Sequence, residues 1–441
     1  MMLALLAAIA LQGSTDLFRQ VVPHPTGQNG YEEYVRAAEL LKSSGTSDLL
    51  DWRPEELAGV KAERSEAAGY LASAKTDVER AEWKDTVADL DSKIRSLTPL
   101  QGKTLLEVRR IMAERGQKAY LTLEAGNRKP SFSPRSSISL ETLYPELAHF
   151  KSLAKFIAFK AYAEVADGNG SAAARTLAEG FTFQSRFGTE TLIARLVSMA
   201  CGSILNAALD DLFHALPERG MSGLQKAISL GLPTVPAISS AMESESRFIN
   251  LYLGDLDKDP KNFGLLMGDP EGDASVLYEA KKKEFEALSP ASRQKLFRAV
   301  IDDSATKVRE VQRVLSQPEA QWFDIADLNG DDSLRGFLIN CVSPVFSSAY
   351  ETEARARTQS RLGMLACDIW AYRWRHGKLP ETLADATGKD AVKDPLSGQD
   401  FEYAPLLGGT FRLVSKGNKR TGEIALRYKR PKGAAPDPDL P

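Results

Sequence analysis

Histidine and cysteine are scarce in this chain of 441 residues, with four and three copies. His24, His149, His214 and His376 lie far apart, and neither an HExxH nor a Cys-x-x-Cys spacing occurs. Zinc needs converging nitrogen or sulfur ligands at such spacings, so the sequence gives no basis for a zinc enzyme or a zinc-stapled fold. Cys201, Cys341 and Cys367 are odd in number and sit in apolar helical contexts. There cysteine acts as a small buried hydrophobe; a disulfide or metal ligand is the alternative. A dominant charge sign is also missing. The 56 Lys and Arg against 59 Asp and Glu leave a net charge of -3, so nucleic acid is not expected as a partner. G-x-S-x-G, Walker A, dinucleotide, kinase and S-x-x-K signatures are all absent. What remains is 43% hydrophobic and 26% charged, the composition of a globular protein with a core of ordinary size.

The chain opens Met1-Met2-Leu3-Ala4-Leu5-Leu6-Ala7-Ala8-Ile9-Ala10-Leu11. That run is shorter than the about 20 residues of a membrane span, so spanning is not expected beyond a cleaved leader. Residues 1–13 fit the apolar core of a secretory signal, with Ala8-Ile9-Ala10 as a small-x-small cleavage site. No Lys or Arg precedes the core, and a buried first helix is the alternative. Leu11-Gln12-Gly13-Ser14 has the outline of a lipoprotein box with Ser in place of the acylated Cys, which excludes lipidation there. The expected location is the periplasm or cell envelope.

Apolar residues then recur every three or four positions almost to the end, which predicts helices. A helical region spans 14–126. Within it, 52–98 reads as one long helix or a hairpin of two, with its stripe broken near Trp83. Thr104-Leu105-Leu106-Glu107 is a capping box, and Gly126 to Ser137 reads as a linker. A central helical domain covers 138–345. Its segments 145–166 and 172–187, joined by Asp167-Gly168-Asn169-Gly170, resemble one tetratricopeptide hairpin, without any 34-residue recurrence. Residues 189–216 are apolar on nearly every face, as in a helix buried on all sides. Strand signals appear only past Asp394, at Phe401-Glu402-Tyr403, Phe411–Ser415 and Ile424–Tyr428. The expected fold is therefore mainly α: antiparallel helical hairpins, with a long helix and a small antiparallel β module over 346–430. A disordered tail is expected over 431–441.

The segment before and within that module carries the densest motif. Tyr372-Arg373-Trp374-Arg375-His376-Gly377-Lys378-Leu379-Pro380 reads as a helix stopped at glycine. Asp394-Pro395-Leu396-Ser397-Gly398, the aromatic strand at Tyr403, and Ser415-Lys416-Gly417 follow. Over about 360–418 this pattern resembles the C-terminal half of type II secretion major pseudopilins. In that family the preceding helix spans the membrane, and an acidic C-terminal loop binds calcium. Here the helix carries Glu351, Glu353, Arg355, Arg357 and Arg361, and Gly417 is followed by Asn418-Lys419-Arg420. Fibre assembly and that calcium site therefore do not transfer. The whole chain is similar to a group of bacterial envelope proteins, of unassigned activity, that attach such a module to a large helical body.

The remaining candidate sites are local. Asp327-x-Asn329-x-Asp331 places oxygen side chains at alternate positions, as calcium loops do. Position six is Asp332 rather than Gly, and position twelve is Leu338; the competing reading is a solvated turn with a helix cap. Calcium is the one cofactor to be tested. Arg412, Lys416, Lys419, Arg420, Arg427, Lys429 and Arg430 make the β module basic, with Glu423 opposing them. Such a face suits acidic glycans, lipid headgroups or nucleic acid; protection of exposed strand edges is the favoured alternative. His376 falls in a last helical turn, where an imidazolium favours the dipole. Glu243 and Arg247 stand four apart on a helix, the spacing of a salt bridge.

Two functions fit these residues. One is a non-catalytic, exported helical scaffold of the cell envelope that binds a protein partner. The alternative is a hydrolase-type enzyme whose acidic site is assembled from distant helices, such as Glu243 and Glu245 with the loop 255–273.

Overall fold

The computed structural model describes residues 17–22, 24–53, 55–130, 132, 144–233, 237–258, 263, 273–324, 331–342, 346–388, 392–406 and 409–427. The leader (1–13), the tail (431–441), half of 126–137 and most of the acidic loop 255–273 lie outside them.

Over the described residues the chain is mainly helical with one small sheet. A short α1 (Leu17–Val21) precedes α2 (Gly30–Ser43), which Asn29 caps by accepting from the Tyr31 amide at 3.0 Å. The region 52–98 forms two helices, α3 (Glu56–Ser73) and α4 (Asp77–Leu97). The turn between them falls at Ala74–Thr76, ahead of the point near Trp83 where the apolar stripe loses register. Ala74 and Thr76 are extended, and Thr76 with Glu79 forms a capping box that starts a new helix. Trp83 is a hairpin contact instead, stacked on Tyr70 of α3 at 4.8 Å. Thr104 and Glu107 make the expected box at the start of α5 (Leu105–Arg115). In α6 (Gln117–Asn127) the last two residues are buried, so the linker begins later than its polar sequence indicated. A Cβ at Gly126 would lie 2.8 Å from the Tyr34 ring, which is why this position looks like a breaker and packs like a core residue.

The body is built from α7 (Pro145–Ala166), α8 (Gly170–Arg186), α9 (Leu192–Leu212) and α10 (Glu218–Ser229). α7 pairs with α8 and α9, and α10 packs on α8. α9 is shorter than its apolar run: a 3₁₀ turn, Phe213–Ala215, leads to Pro217, the N-cap residue of α10. Among the described residues one stretch, Leu192–Ala215, is long and apolar enough to cross a membrane, and half of it is buried inside the protein. Then come α11 (Ala237–Lys258), α12 (Asp273–Glu286), α13 (Pro290–Leu315), α14 (Leu334–Val342), and the 31-residue α15 (Phe346–His376). A last short helix, α16 (Leu383–Thr387), precedes the sheet.

Strands β1 (Glu402–Leu406), β2 (Thr410–Ser415) and β3 (Ile424–Arg427) form an antiparallel meander in the order β1-β2-β3. Tyr403 faces Leu413, and Leu413 faces Leu426. α15 lies against β2 and β3 as well as α9 and α10. One continuous core results, running from Leu17 through Tyr34, Phe150, Phe183, Leu205 and Trp370 to Leu413 and Leu426. A second, smaller core holds Leu253, Phe263, Phe285, Phe297 and Phe337, with the Phe263 ring stacked on Phe285 at 5.1 Å. It knits the end of α11 to α12, α13 and α14.

The β module tolerates little change at Gly417. Its φ is +61°, and a Cβ would stand 1.8 Å from the Gly422 carbonyl oxygen. Both strain and collision follow from any side chain. Gly417→Ala is expected to cost about 2–4 kcal/mol, read as a lowered urea midpoint; an unchanged midpoint contradicts this packing.

Candidate functional site

The motif residues between Tyr372 and Gly417 are engaged in contacts within α15 and the C-terminal module. Asp394 is fully buried. Its carboxylate accepts from the Leu396 amide (3.0 Å), the Ser397 amide (3.2 Å), Ser397 Oγ (2.6 Å) and Ser415 Oγ (2.7 Å). Asp394 N donates to Gln399 O, and Gly398 N to Asp394 O, both at 2.7 Å. The Asp-Pro-Leu-Ser-Gly segment is thus a tight turn wrapped around one carboxylate. Ser415 passes the network on, accepting from Gly417 N at 3.0 Å. Pro395 offers its carbonyl to Ala320 N (3.0 Å), and Tyr403 Oη donates to Pro380 O (2.9 Å). Gly377, with φ +70°, ends α15, and His376 Nδ1 donates to the Tyr372 carbonyl while its ring stacks on Tyr372 at 4.0 Å. Every one of these groups has a structural employment.

The calcium candidate is divided. Asp327 and Asn329 lie outside the described residues. Asp331 accepts from the amide and hydroxyl of Ser333, and Ser333 Oγ accepts from Gly336 N at 3.0 Å. Its carboxylate therefore sets the entry to α14. Among the described residues no three His, Cys, Asp or Glu side chains gather as a metal-holding group.

The basic face is partly neutralised, by Glu423 and also by Glu402 of β1. Arg412 pairs with Glu423 at 2.7 Å, and Lys416 with Glu402 at 2.9 Å. Lys419 and Arg420 are exposed in the β2–β3 turn; Lys429, Arg430 and the side chain of Arg427 lie outside the description. Cys201 and Cys367 are buried, and burial pushes the Cys201 thiol up to about 12.

Glu243 and Glu245 do not converge. Glu243 accepts from Gln312 Nε2 on α13 at 2.9 Å, in place of the expected pair with Arg247. Glu245 accepts from the Leu192 amide at 2.8 Å and so caps α9 from the side. Burial pushes the Glu245 carboxyl above its ordinary value, against the opposing pull of that amide.

The feature with the densest buried charge is one that motif reading passed over. Glu353, Arg357 and Arg361 stand at i, i+4 and i+8 on one face of α15. Arg195 of α9 meets Glu353 in a two-pronged pair, Nε–Oε2 at 2.6 Å and Nη2–Oε1 at 2.7 Å, with 4% and 0% of the side chains exposed. Ser198 joins it, accepting from Arg195 Nη1 (3.3 Å) and Gln184 Nε2 (3.0 Å). One turn further on, Arg357 Nε (2.9 Å) and Arg361 Nη2 (2.5 Å) both donate to Glu319 Oε1, which sits at the start of a 3₁₀ segment, Glu319–Asp324. Arg357 Nη1 also donates to Pro233 O at 3.1 Å. Burial pushes Glu319 up, but Arg361 and Arg357 outweigh it and hold the carboxyl below its ordinary value. One sequence signal pointed here: Arg195 is the only charge in α9 before Asp210, and a lone cation on an apolar helix requires a buried counter-ion. A narrow crevice opens beside the ladder, between α8, α9 and α15, lined by Gln184, Arg195, Ser203, Asn206, Arg357 and Ser360 among others.

Compared with known proteins, the chain matches no family model, no curated protein and no solved structure.

Two outcomes follow from this geometry. Arg195→Met leaves Glu353 buried and unpaired, so it is expected to cost about 3–5 kcal/mol, whereas Arg195→Met with Glu353→Leu recovers most of that loss. Equal loss in the single and double variants, by urea denaturation, contradicts the pairing. For Glu245, the folded carboxyl binds its proton more tightly than the unfolded one. Stability is therefore fullest at low pH and falls as pH rises from the unfolded value through the raised folded one. Glu245→Gln is expected to flatten that fall in a series of thermal melts across pH; an identical slope contradicts it.

Proposed function

We propose that this protein is a non-catalytic helical scaffold of the bacterial envelope, and that it binds a protein partner through the α3–α4 hairpin. The observation that carries this reading is the hairpin's isolation. Leu57 and Val60 root α3 in the main core, but beyond them α3 packs on α4. At 18 residues, α3 reaches roughly 27 Å. Cross-links within the arm keep it straight: Arg64–Asp91 at 2.9 Å and Lys93–Glu56 at 2.8 Å. Near its tip the Tyr70–Trp83 stack leaves Tyr70 47% exposed, and Val78 is 70% exposed. An ordered, two-helix arm with exposed aromatic and aliphatic side chains presents anchors of the kind that dominate protein interfaces.

The acidic groups support the scaffold over the hydrolase reading, because Glu243 and Glu245 are engaged separately, on Gln312 of α13 and on the Leu192 amide. Placement in the envelope rests on the leader-like start and the pseudopilin-like module, and remains part of the proposal. No membrane-spanning role is assigned.

The test is removal of the arm. Replacing residues 63–89 by a short Gly/Ser turn is expected to leave the melting temperature of the body within a few degrees, because the arm meets the main core through Leu57, Val60, Leu90, Ile94 and Leu97, outside that segment. A partner captured by the intact chain and then purified is expected to lose at least about tenfold in affinity for the shortened chain, and a similar share for Trp83→Ala. Equal affinity for the intact and shortened chains overturns the reading.

A further inference from the structure

Of the nine asparagines in the chain, only Asn169 is followed two positions later by Ser or Thr. Asn169-Gly170-Ser171 is an N-glycosylation sequon, a motif that operates on the surface of exported proteins. Asp167 extends it to Asp-x-Asn-x-Ser, the acidic form that bacterial glycan transferases read. The motif occupies the turn between α7 and α8, where Asp167, Gly168 and Asn169 are all exposed. A Cβ at Gly168 would meet nothing within 4 Å, so the space beside the asparagine is open.

The turn uses one atom of the Asn169 side chain and leaves the other. Oδ1 accepts from Ala172 N at 3.2 Å and caps α8. Nδ2 makes no hydrogen bond among the described residues. Capping needs only an acceptor oxygen, which Asp or Ser supplies as well; the amide nitrogen is what the cap does not explain. Ser171 Oγ accepts from Arg219 Nε (3.0 Å) and Nη2 (2.7 Å), and its own proton remains to donate. Asp167 pairs with Arg110 yet keeps 51% of its side chain exposed.

We propose that Asn169 is the acceptor of one N-linked glycan, donated by an oligosaccharide carried on a lipid pyrophosphate. In the transfer Nδ2 gives up one proton and bonds to the anomeric carbon of the first sugar. The bond from that carbon to the pyrophosphate oxygen breaks, and the lipid pyrophosphate leaves with the electron pair. No oxidant or reductant takes part. Oδ1 is untouched, so the α8 cap survives, and a bulky polar group added at this exposed turn meets solvent rather than the core. The inference rests on the export part of the proposed function and is independent of the arm.

The experiment incubates the full chain with a purified bacterial oligosaccharyltransferase and a lipid-pyrophosphate-linked oligosaccharide. A short Asp-x-Asn-x-Ser peptide serves as the control acceptor in the same reaction. The intact mass is expected to rise by one oligosaccharide, mapped to Ala161–Arg175, the tryptic peptide that holds the sequon. Asn169→Asp keeps the capping oxygen and removes the amide nitrogen, so it is expected to abolish the gain with the melting temperature held. Ser171→Ala is expected to abolish it too, and Asp167→Asn to slow it at least about tenfold. An unmodified chain beside a modified control peptide overturns the proposal, as does transfer that survives Asn169→Asp. The purified components need no export, so failed transfer counts against Asn169 alone. A cytosolic chain that keeps residues 1–13 counts against the envelope placement instead.

Discussion

A helix that is charged along one face and still buried must find a counter-ion for each charge, and that requirement organises this protein. α15 carries Glu353, Arg357 and Arg361 into the interior, where each ion left alone would cost several kcal/mol. The partners come from elements far away in sequence, Arg195 on α9 and Glu319 on a 3₁₀ segment. Satisfying them fixes the rotation of α15 about its axis. Once that rotation is set, Leu362, Ala366, Ile369 and Trp370 face the main core. Trp370 and Trp374 then both donate to the Leu216 carbonyl at 3.1 Å, pinning the far end of the helix.

The same helix carries the β module. Arg355 Nη1 donates to Thr421 O at 2.5 Å, and the Glu319 segment reaches the module through Ala320 N and Pro395 O. The module is therefore fastened at both its β2–β3 turn and its Asp394 turn. Asp394 organises it internally as the ladder does α15: a buried carboxylate surrounded by donors supplied from positions 396, 397 and 415. In each place buried charge adds specificity where apolar packing alone leaves neighbouring arrangements close in energy.

How much of this was legible in the sequence differs by scale. The helices were, because each is periodic on its own: α13 and α15 follow from spacing, and Thr104 with Glu107 announces the start of α5. The meander was legible from its alternation and glycine turns. The turn of the arm was less so: the apolar stripe loses register near Trp83, while the chain turns at Ala74–Thr76, where Thr76 and Glu79 cap a new helix. Gly126 read as a linker because glycine signals both breaks and close packing, and only Tyr34, far away in sequence, decides between them. The ladder was nearly illegible. Its charges on α15 read as a reason to keep the helix out of lipid, and nothing local says that they point inward. Arg195 alone was informative, as the one cation of an apolar helix. The Tyr372–Gly417 motif was visible as a pattern, while its purpose, a fold built around Asp394, required the four donors to be seen together.

If the ladder and the Asp394 turn make α15 and the β module one cooperative unit, native-state hydrogen exchange measures it most directly. The amides of Ala354–Leu365 and those of Phe411–Val414 are expected to open with the same free energy and the same denaturant dependence. Exchange of the strand amides by a separate, lower-energy opening, with α15 still protected, would contradict the account.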